Sequence, residues 1–246
     1  MHPAPPISVP FGLPELDDVT GGMRPGHLIV VASAPGAGKT TLLLQFLRHA
    51  AFRHGCSTHL ISLEMTDSDI RQRLLSGESG IRLHSVGHPA TGNLNREPSA
   101  ATLAEAKALM NQGTLAVDSR TSFSITDLPL TFYQEQHQIL AVDCIDLVDA
   151  DASPFTVARA FKKYALEAEM PVLVSTRVRD NSPHVDALME EADIVLRLER
   201  PDTTDWDHER AGEADIHVVK NRMGPIARIT MQHQLFRSSF VPLGQS

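Results

Sequence analysis

The chain has 246 residues, of which 42% are hydrophobic and 21% are charged, and its formal net charge is −8 at pH 7. This profile is typical of one folded α/β domain, and the acidic balance argues against nucleic-acid binding through overall charge. No apolar run approaches the ~18 residues that cross a bilayer, and the first residues lack the pattern of a secretory signal. The two cysteines, Cys56 and Cys144, have no metal-type spacing and exclude a disulfide framework. These features predict a cytoplasmic protein without a membrane segment.

The proline-rich start of the chain is predicted to be an extended tail over residues 1–10, followed by a single domain over residues 11–246. The domain opens with a segment rich in turn residues. Short apolar runs then predict strands at residues 27–33, 58–65, 114–118, 138–148 and 171–176. Helical spacing of apolar residues predicts helices at residues 39–54, 67–77, 99–112, 124–135 and 154–169.

The remaining segments complete this pattern. Asp67 or Ser68 is expected to cap the second helix, and residues 76–100 are predicted to be mostly loop because they are rich in glycine and polar residues. The C-terminal third is predicted to form strands at residues 192–200, 214–222, 227–235 and 236–243. Strand–helix alternation followed by strands predicts an α/β fold with a mainly parallel sheet, flanking helices and an antiparallel C-terminal extension.

A phosphate-binding loop is predicted in the stretch SAPGAGKTT, which lies between the first strand and the first helix. Loop amides and the positive end of a helix dipole attract anions, so this segment is expected to bind a nucleoside triphosphate. Lys39 is expected to reach the outer phosphates and the Thr40 hydroxyl to bind Mg²⁺. The pattern G-x-x-x-x-G-K-[ST] is met except at its first position, which is Ser33. The residues expected at the nucleotide are Ala34, Pro35, Gly36, Ala37, Gly38, Lys39, Thr40 and Thr41.

Two acidic residues end strands that are expected to lie beside this loop. Asp143 follows the apolar run ILAV, where a carboxylate would support Mg²⁺ through water. Glu64 follows LISL, the strand after the first helix, so it is expected to point into the same crevice at the carboxyl ends of the strands.

These motifs together resemble the C-terminal, RecA-like motor domain of DnaB-type replicative helicases. The resemblance starts at PFGLPELDDVTGGMRPG and continues through SLEM, RQRLL, LAVDCIDLV, EADIVLRLER and VVKNRMGPIARITMQHQLFRSSF, so it covers nearly the whole chain. It implies a RecA-like P-loop NTPase fold and Mg²⁺-dependent ATP hydrolysis. It also implies a hexameric ring or filament, single-stranded DNA as a partner and a replication-protein partner.

The resemblance also implies residue roles. Glu64 corresponds to the family's catalytic glutamate, Asp143 to its Mg²⁺-associated aspartate, and Arg73 to an arginine near the nucleotide. Lys220 and Arg222 correspond to a lysine and an arginine that reach into the neighbouring subunit's site, where they would supply charge to the γ-phosphate.

The sequence differs from the helicase family in three places, and these differences concern assembly and DNA binding rather than the nucleotide site. A proline-rich segment stands where the family has a helical N-terminal domain and linker helix. The segment VDADASPF is short and acidic where the family has a longer stretch that feeds a DNA-contacting loop, and carboxylates repel phosphates. Thr176 stands where the family has a glutamine that relays nucleotide state to DNA, and Asp146 stands where it usually has glutamine. From the following loop, Arg177, Arg179 and His184 are the residues expected to contact DNA.

The resulting hypothesis is an ATP-hydrolysing motor that moves along single-stranded DNA. One alternative is a P-loop kinase or signalling ATPase that phosphorylates or remodels a protein. Another is a nucleotide-gated assembly module that has lost unwinding and acts on a protein partner, for example as a cap on a helicase ring.

Overall fold

The computed structural model describes residues 8–87, 100–112, 114–128, 137–149, 151–178, 183–203, 205 and 207–244. Strands in these residues are β1 (Leu28–Ser33), β2 (Thr58–Ser62), β3 (Leu115–Ser119), β4 (Ile139–Asp143), β5 (Val172–Arg177), β6 (Ile194–Glu199), β7 (Glu213–Asn221), β8 (Ala227–Gln234) and β9 (Ser239–Pro242). Helices in these residues are α1 (Pro14–Thr20), α2 (Lys39–His54), α3 (Asp67–Ser79), α4 (Leu83–Gly87), α5 (Ala100–Met110), α6 (Pro154–Glu167) and α7 (Pro183–Glu191).

The strands form one sheet in the order β3-β2-β4-β5-β1-β6-β7-β8-β9. All neighbours from β3 to β6 are parallel, whereas β7, β8 and β9 are added antiparallel. Parallel strands that follow each other in the chain need crossover connections, and α2, α6 and α7 lie in three of them. The predicted fold class, a mainly parallel sheet with an antiparallel C-terminal extension, is confirmed.

Strand β1 lies in the middle of the sheet and is buried along its whole length. Ile29 and Val31 pack in the core that includes α2 and α3, whereas Leu28 and Val30 pack in the core that includes α6 and α7. Covering both faces removes the alternation of apolar and polar residues, which explains the continuous run LIVVAS. No helix in the described residues is long and apolar enough to cross a membrane.

One predicted strand is shorter in the structure, and the described part of one predicted helix has a different conformation. The strand predicted at 138–148 ends at Asp143 and is followed by a 3₁₀ helix over Ile145–Leu147. Ile145 is 1% exposed, so the apolar run continues because this turn packs into the core, which periodicity alone does not distinguish from a strand. The helix predicted at 124–135 is a 3₁₀ turn over Ile125–Asp127 in its described part, and residues 129–136 lie outside the described residues.

Residues 76–100 contain more helix than predicted. Helix α3 continues to Ser79, and α4 follows within the stretch predicted to be loop; residues 88–99 lie outside the described residues. The Ser76 hydroxyl donates to the Ile81 carbonyl at 2.6 Å, which turns the chain sharply between the two helices. The N-cap of α3 is Thr66, not Asp67 or Ser68, and its hydroxyl accepts a hydrogen bond from the Asp69 amide at 3.2 Å.

The ends of the domain also differ from the prediction. Val9, assigned to the tail, is buried and forms an antiparallel bridge with Met23, so residues 8–10 belong to the folded domain. The turn-rich opening segment contains α1, and the residues predicted to be loop after β5 include the start of α7. The last predicted strand begins later, at Ser239, because a 3₁₀ turn and the left-handed Ser238 (φ 47°) precede it.

A buried ion pair supports the start of β1. The Asp193 carboxylate accepts hydrogen bonds from the Lys162 ammonium at 2.6 Å and the Leu28 amide at 2.9 Å, and Lys162 also donates to the Gly26 carbonyl at 2.8 Å. The side chains of Asp193 and Lys162 are 2% and 7% exposed. This pair therefore connects the start of β1 with α6, which carries Lys162, and with the segment before β6, which carries Asp193.

We expect Asp193→Ala to lower the free energy of unfolding by about 3–5 kcal/mol, because it leaves a buried ammonium without its counter-charge. At this chain length each kcal/mol lowers the melting temperature by about 2–4 °C, so thermal unfolding can measure the loss. The control is Asp186→Ala, which removes an exposed aspartate from α7. Equal melting temperatures for the two variants would contradict the prediction.

Candidate nucleotide and metal site

The loop between β1 and α2 has the shape of an anion cradle. Ala34, Pro35 and Gly36 are exposed, whereas Ala37 and Thr41 are buried and hold the loop to the domain. Gly38 has φ 107°, and a Cβ at this position would lie 3.0 Å from side-chain atoms of Leu235 and Phe240. Glycine is required there for conformation and for space. Because α2 begins directly at Lys39, its free amides and positive dipole end face the loop.

Two strand ends bring the predicted acids beside this loop. The Lys39 ammonium lies 2.9 Å from Glu64 Oε2, and the two side chains are only 11% and 15% exposed. The Leu63 amide donates to the Asp143 carbonyl at 2.6 Å, which joins the chain after β2 to the end of β4. Lys39, Glu64 and Asp143 therefore meet at the carboxyl edge of the sheet, as their positions at strand and helix ends predicted.

Oxygen atoms suited to Mg²⁺ lie at the same edge. The Asp143 carboxylate is fully buried; Oδ2 accepts from the Thr40 hydroxyl at 2.8 Å, and Oδ1 accepts from the Ser175 hydroxyl. Among the described residues no cluster of three or more His, Cys, Asp or Glu side chains forms an all-protein metal cage. One carboxylate and one hydroxyl next to a phosphate loop fit Mg²⁺, which keeps several waters and uses substrate phosphates as ligands. Sequence reasoning missed Ser175, because its role depends on β5 lying beside β4.

A second cation reaches Glu64 from the end of β5. The Arg177 guanidinium pairs with Glu64 Oε1, so both carboxylate oxygens of Glu64 have a cationic partner. His184, at the start of α7, has Nδ1 3.8 Å from Asp146 Oδ1. Two of the three residues predicted to contact DNA are thus engaged with carboxylates of this chain. Arg179 lies outside the described residues.

Thr176 and Asp146, the two residues that stand where the helicase family has glutamine, contact each other. The Thr176 hydroxyl donates to Asp146 Oδ1 at 3.0 Å, and the Arg177 amide donates to Asp146 Oδ2 at 3.0 Å. The Cys144 thiol also donates to Asp146, and burial together with the Asp146 charge raises the pKa of this thiol to about 12. The contact between Asp146 and Thr176 therefore joins the 3₁₀ turn after β4 to the end of β5.

One acidic residue of VDADASPF faces inward. The Asp149 carboxylate accepts from the Ile125 amide at 2.7 Å and from the Ser124 hydroxyl at 3.1 Å. The Asp149 carboxylate is thus hydrogen-bonded to the 3₁₀ turn before β4.

Lys220 and Arg222 lie at the opposite end of the sheet from the phosphate loop. Lys220 is opposite Val195 at the start of β6, and β6 runs parallel to β1, with Ile194 opposite Ile29. From Ile29 to the end of β1 at Ser33 there are four residues of strand, or about 13 Å. The two cations are therefore on the far edge of the molecule from their own chain's Lys39.

The contacts of these two cations fix the turn that follows β7. The Lys220 ammonium donates to the carbonyls of Met189 and Glu190 at 2.7 and 3.0 Å, and burial with the nearby Arg222 charge lowers the pKa of Lys220. The Arg222 guanidinium lies 3.3 Å from Asp193 Oδ1, and its side chain is 56% exposed. The Arg222 guanidinium is thus paired with Asp193 while more than half of the side chain faces solvent.

Arg73 lies on α3 and is half-buried. No hydrogen bond or ion pair joins it to any residue in the part of the chain that the structure describes, so its place near the nucleotide stays a prediction. Sequence reasoning missed Arg200, which donates to the Gly36 carbonyl at 3.1 Å and thereby supports the phosphate loop. Arg200 is itself paired with Asp202 at 3.0 Å and borders a cleft of about 480 Å³ beside Ala34 and Ala37.

Comparison with known sequences identifies the family. The family described as DnaB-like helicase C terminal domain matches residues 8–241. A replicative DNA helicase DnaB from Leifsonia xyli subsp. xyli is 30% identical over 261 residues, which cover 96% of this chain and 56% of the relative. One from Mycobacterium leprae is 27% identical, with 97% of this chain and 42% of the relative covered. The chain thus spans about half the length of the curated relatives it matches.

Comparison with solved structures shows the fold. One solved structure, described as an ATPase domain, has a TM-score of 0.85 at 20% identity, with 96% of this chain and 91% of that chain covered. A DnaB-like replicative helicase, studied with its interactions with primase, gives a TM-score of 0.83 at 22% identity, covering 96% of this chain and 62% of that one. A KaiC-like protein from Pyrococcus horikoshii OT3 gives a TM-score of 0.67 at 16% identity, covering 95% of this chain and 97% of that one. With the family match over residues 8–241, these findings show that the chain belongs to the DnaB-like helicase C-terminal domain family.

Proposed function

We propose that this domain hydrolyses ATP with Mg²⁺ and couples hydrolysis to binding or movement along single-stranded DNA in an oligomeric ring or filament. The observation that carries the proposal is the joint placement of Lys39 with Glu64 at 2.9 Å and of Thr40 with Asp143 at 2.8 Å beside one phosphate loop. A lysine, a hydroxyl and two carboxylates in this arrangement supply the binding, metal and proton-accepting groups that phosphoryl transfer requires.

Each of these side chains has a role that its position supports. The loop amides and Lys39 bind the phosphates, and Lys39 must turn from Glu64 toward the outer phosphates to do so. Thr40 and Asp143 would hold Mg²⁺, which neutralises charge on the phosphate oxygens when it is bound. Glu64, released from Lys39, orients the attacking water and accepts its proton. Arg73 on α3 would contact the nucleotide base.

Phosphoryl transfer also needs positive charge at the γ-phosphate, and we assign part of it to a neighbouring copy. Lys220 and Arg222 lie at the far edge of the sheet, so they would act on the site of a neighbouring copy. An arginine supplied in this way stabilises the charge that develops in the transition state. The resemblance to hexameric helicases and this geometry support a ring or a filament.

The partners follow from the same reasoning. Arg177, Arg179 and His184 are the candidate contacts to DNA phosphates. A replication-protein partner is supported by the solved DnaB-like helicase, which was studied with its interactions with primase.

The second candidate function is a DnaB-like ATPase or nucleotide-gated module that acts on a protein partner and has lost unwinding. One observation favours it: Arg177 and His184 already face Glu64 and Asp146 within this chain. A guanidinium that is already paired with a carboxylate offers less charge to a nucleic-acid backbone.

The test is steady-state ATP hydrolysis by wild type and Lys39→Ala, with and without Mg²⁺ and oligo(dT), over a range of protein concentrations. We expect Lys39→Ala to lower hydrolysis by roughly 10³-fold, because it removes the cation at the outer phosphates. Its control is Lys163→Ala, an exposed lysine of α6. Stimulation by oligo(dT) that rises with protein concentration supports the motor. Lys39-dependent hydrolysis that is unchanged by DNA supports the second function.

Light scattering tests assembly separately. A strict monomer with and without ATP and Mg²⁺ would contradict any role of Arg222 in a neighbouring site.

A further inference from the structure

Glu64 is held by two cations from different parts of the fold. Lys39, at the start of α2, lies 2.9 Å from Oε2, and Arg177, the last residue of β5, pairs with Oε1. The Glu64 side chain is 15% exposed, so these contacts are partly shielded from solvent and are stronger than a surface pair. ATP phosphates would attract Lys39 away from Glu64. Arg177 would remain.

Arg177 is itself fixed at its backbone. Its amide donates to Asp146 Oδ2 at 3.0 Å, and the preceding Thr176 hydroxyl donates to Oδ1 of the same carboxylate at 3.0 Å. The Val178 amide donates to the Ser33 carbonyl at 2.8 Å, which joins this point of the chain to the residue before the phosphate loop. The Arg177 guanidinium can thus exchange partners while its backbone stays in place.

The Arg177 side chain is also accessible from outside. It is 31% exposed, and the imidazole of His184, 26% exposed, lies on the same Asp146 carboxylate. Arg177 thus presents a guanidinium at the edge of the catalytic crevice, and the His184 imidazole lies beside the carboxylate that holds the Arg177 amide. Guanidinium groups bind phosphate oxygens in a bidentate manner, so a phosphate is a direct competitor for the Glu64 contact.

We propose that Arg177 is a positioning residue that restrains Glu64, and that a nucleic-acid phosphate bound at Arg177 and His184 releases it. This inference rests on the proposed function, in which Glu64 accepts the proton of the attacking water. While Arg177 holds Oε1, the carboxylate is turned toward the guanidinium and its charge is partly neutralised, so it is a poor proton acceptor. A phosphate that takes Arg177 frees the carboxylate for the water. Binding of single-stranded DNA and hydrolysis would thus be linked through one side chain.

Phosphate binding at Arg177 and the contact between Arg177 and Glu64 affect each other equally, so the effect can be measured by DNA binding without hydrolysis. If phosphate and Glu64 compete for Arg177, then removing the Glu64 charge must strengthen nucleic-acid binding by the same coupling. If Arg177 forms only a structural ion pair and binds no phosphate, removing the Glu64 charge predicts no gain in binding that depends on Arg177.

The first experiment compares ATP hydrolysis by wild type, Arg177→Ala and the control Arg159→Ala, which removes an exposed arginine from α6. Each is measured alone, with a 30-nucleotide oligo(dT) and with dTMP at the same phosphate concentration. For Arg177→Ala we expect kcat without DNA to rise about tenfold, KM for ATP to stay within about twofold, and stimulation by oligo(dT) to be lost. A misfolded variant would lose activity, so a gain in kcat separates restraint from structural damage. Stimulation by dTMP equal to that by oligo(dT) would overturn the assignment to a nucleic-acid strand.

The second experiment measures the affinity for fluorescently labelled oligo(dT) by anisotropy, at constant salt because phosphate contacts depend on it. We expect Glu64→Gln to bind about tenfold more tightly than wild type, and Arg177→Ala/Glu64→Gln to show no gain over Arg177→Ala. Equal affinities for wild type and Glu64→Gln, or a fall in kcat for Arg177→Ala, would overturn the inference. If wild type shows no Lys39-dependent hydrolysis under any condition, the proposed function fails and the inference with it. If hydrolysis depends on Lys39 but Arg177→Ala has the same kinetics as wild type, the inference is overturned and the proposed function stands.

Discussion

Arg222→Ala is expected to lower kcat for ATP by about 10³-fold or more, since an arginine that reaches a neighbouring site contributes about 10³–10⁵-fold in phosphoryl transfer. Within its own chain Arg222 makes a 3.3 Å contact with Asp193 and is more than half exposed. Truncating it should therefore change stability little while it changes the rate greatly. The matched control is Arg197→Ala, which removes an exposed arginine from β6 that pairs with Glu199.

Mixing tests whether the residue acts between subunits. Arg222→Ala supplies an intact Lys39 site, and Lys39→Ala supplies an intact Arg222, so mixed assemblies contain some complete sites. We expect each variant alone to be inactive and the mixture to recover hydrolysis as the protein concentration rises. If the mixture remains inactive although light scattering shows assembly, Arg222 acts within its own chain or not at all.

Glu64→Gln is expected to lower kcat by about 10²–10⁴-fold, the range for loss of a positioned general base. Gln keeps the shape of the side chain and accepts a hydrogen bond from Lys39, so nucleotide binding should persist. Fluorescent ATP-analogue titration measures binding, and single-turnover hydrolysis measures the chemical step. The control is Glu167→Gln at an exposed position of α6.

The two measurements together identify the role of Glu64. Retained binding with lost turnover supports a proton-accepting role. A loss of binding that accounts for the whole loss of activity would show instead that Glu64 holds Lys39 in place and has no part in the chemical step.

The phosphate loop and the strand-end acids could be predicted from the sequence because both depend on short-range pattern. A strand, a small-residue loop and a helix occur within residues 28–54, and Glu64 and Asp143 each end an apolar run. In a parallel sheet the carboxyl ends meet at one edge, so their proximity follows from fold class alone. Only the relative order of the strands had to be assumed.

The side chains that support this site were not predictable, because their contacts join distant parts of the chain. Ser175 reaches Asp143 across 32 residues, and Arg200 reaches Gly36 across 164 residues. Neither residue type is unusual at the end of a strand. The 3₁₀ turn after β4 was missed for a related reason: burial of Ile145 extends an apolar run whether or not the strand continues.

Strand β1 joins the two functional edges of the molecule. At its start the Leu28 amide is bonded to Asp193, the carboxylate that also contacts Arg222, and after its end comes the phosphate loop. The six buried residues of β1 span about 20 Å and are hydrogen-bonded to strands on both sides, so this segment is rigid and cannot lengthen. In an assembled ring, β1 would connect the Arg222 that a subunit offers to its neighbour with that subunit's own phosphate loop. If the domain assembles as proposed, a displacement of Arg222 and Asp193 by a neighbour's nucleotide would reach this subunit's own phosphate loop through β1, without a hinge inside the domain.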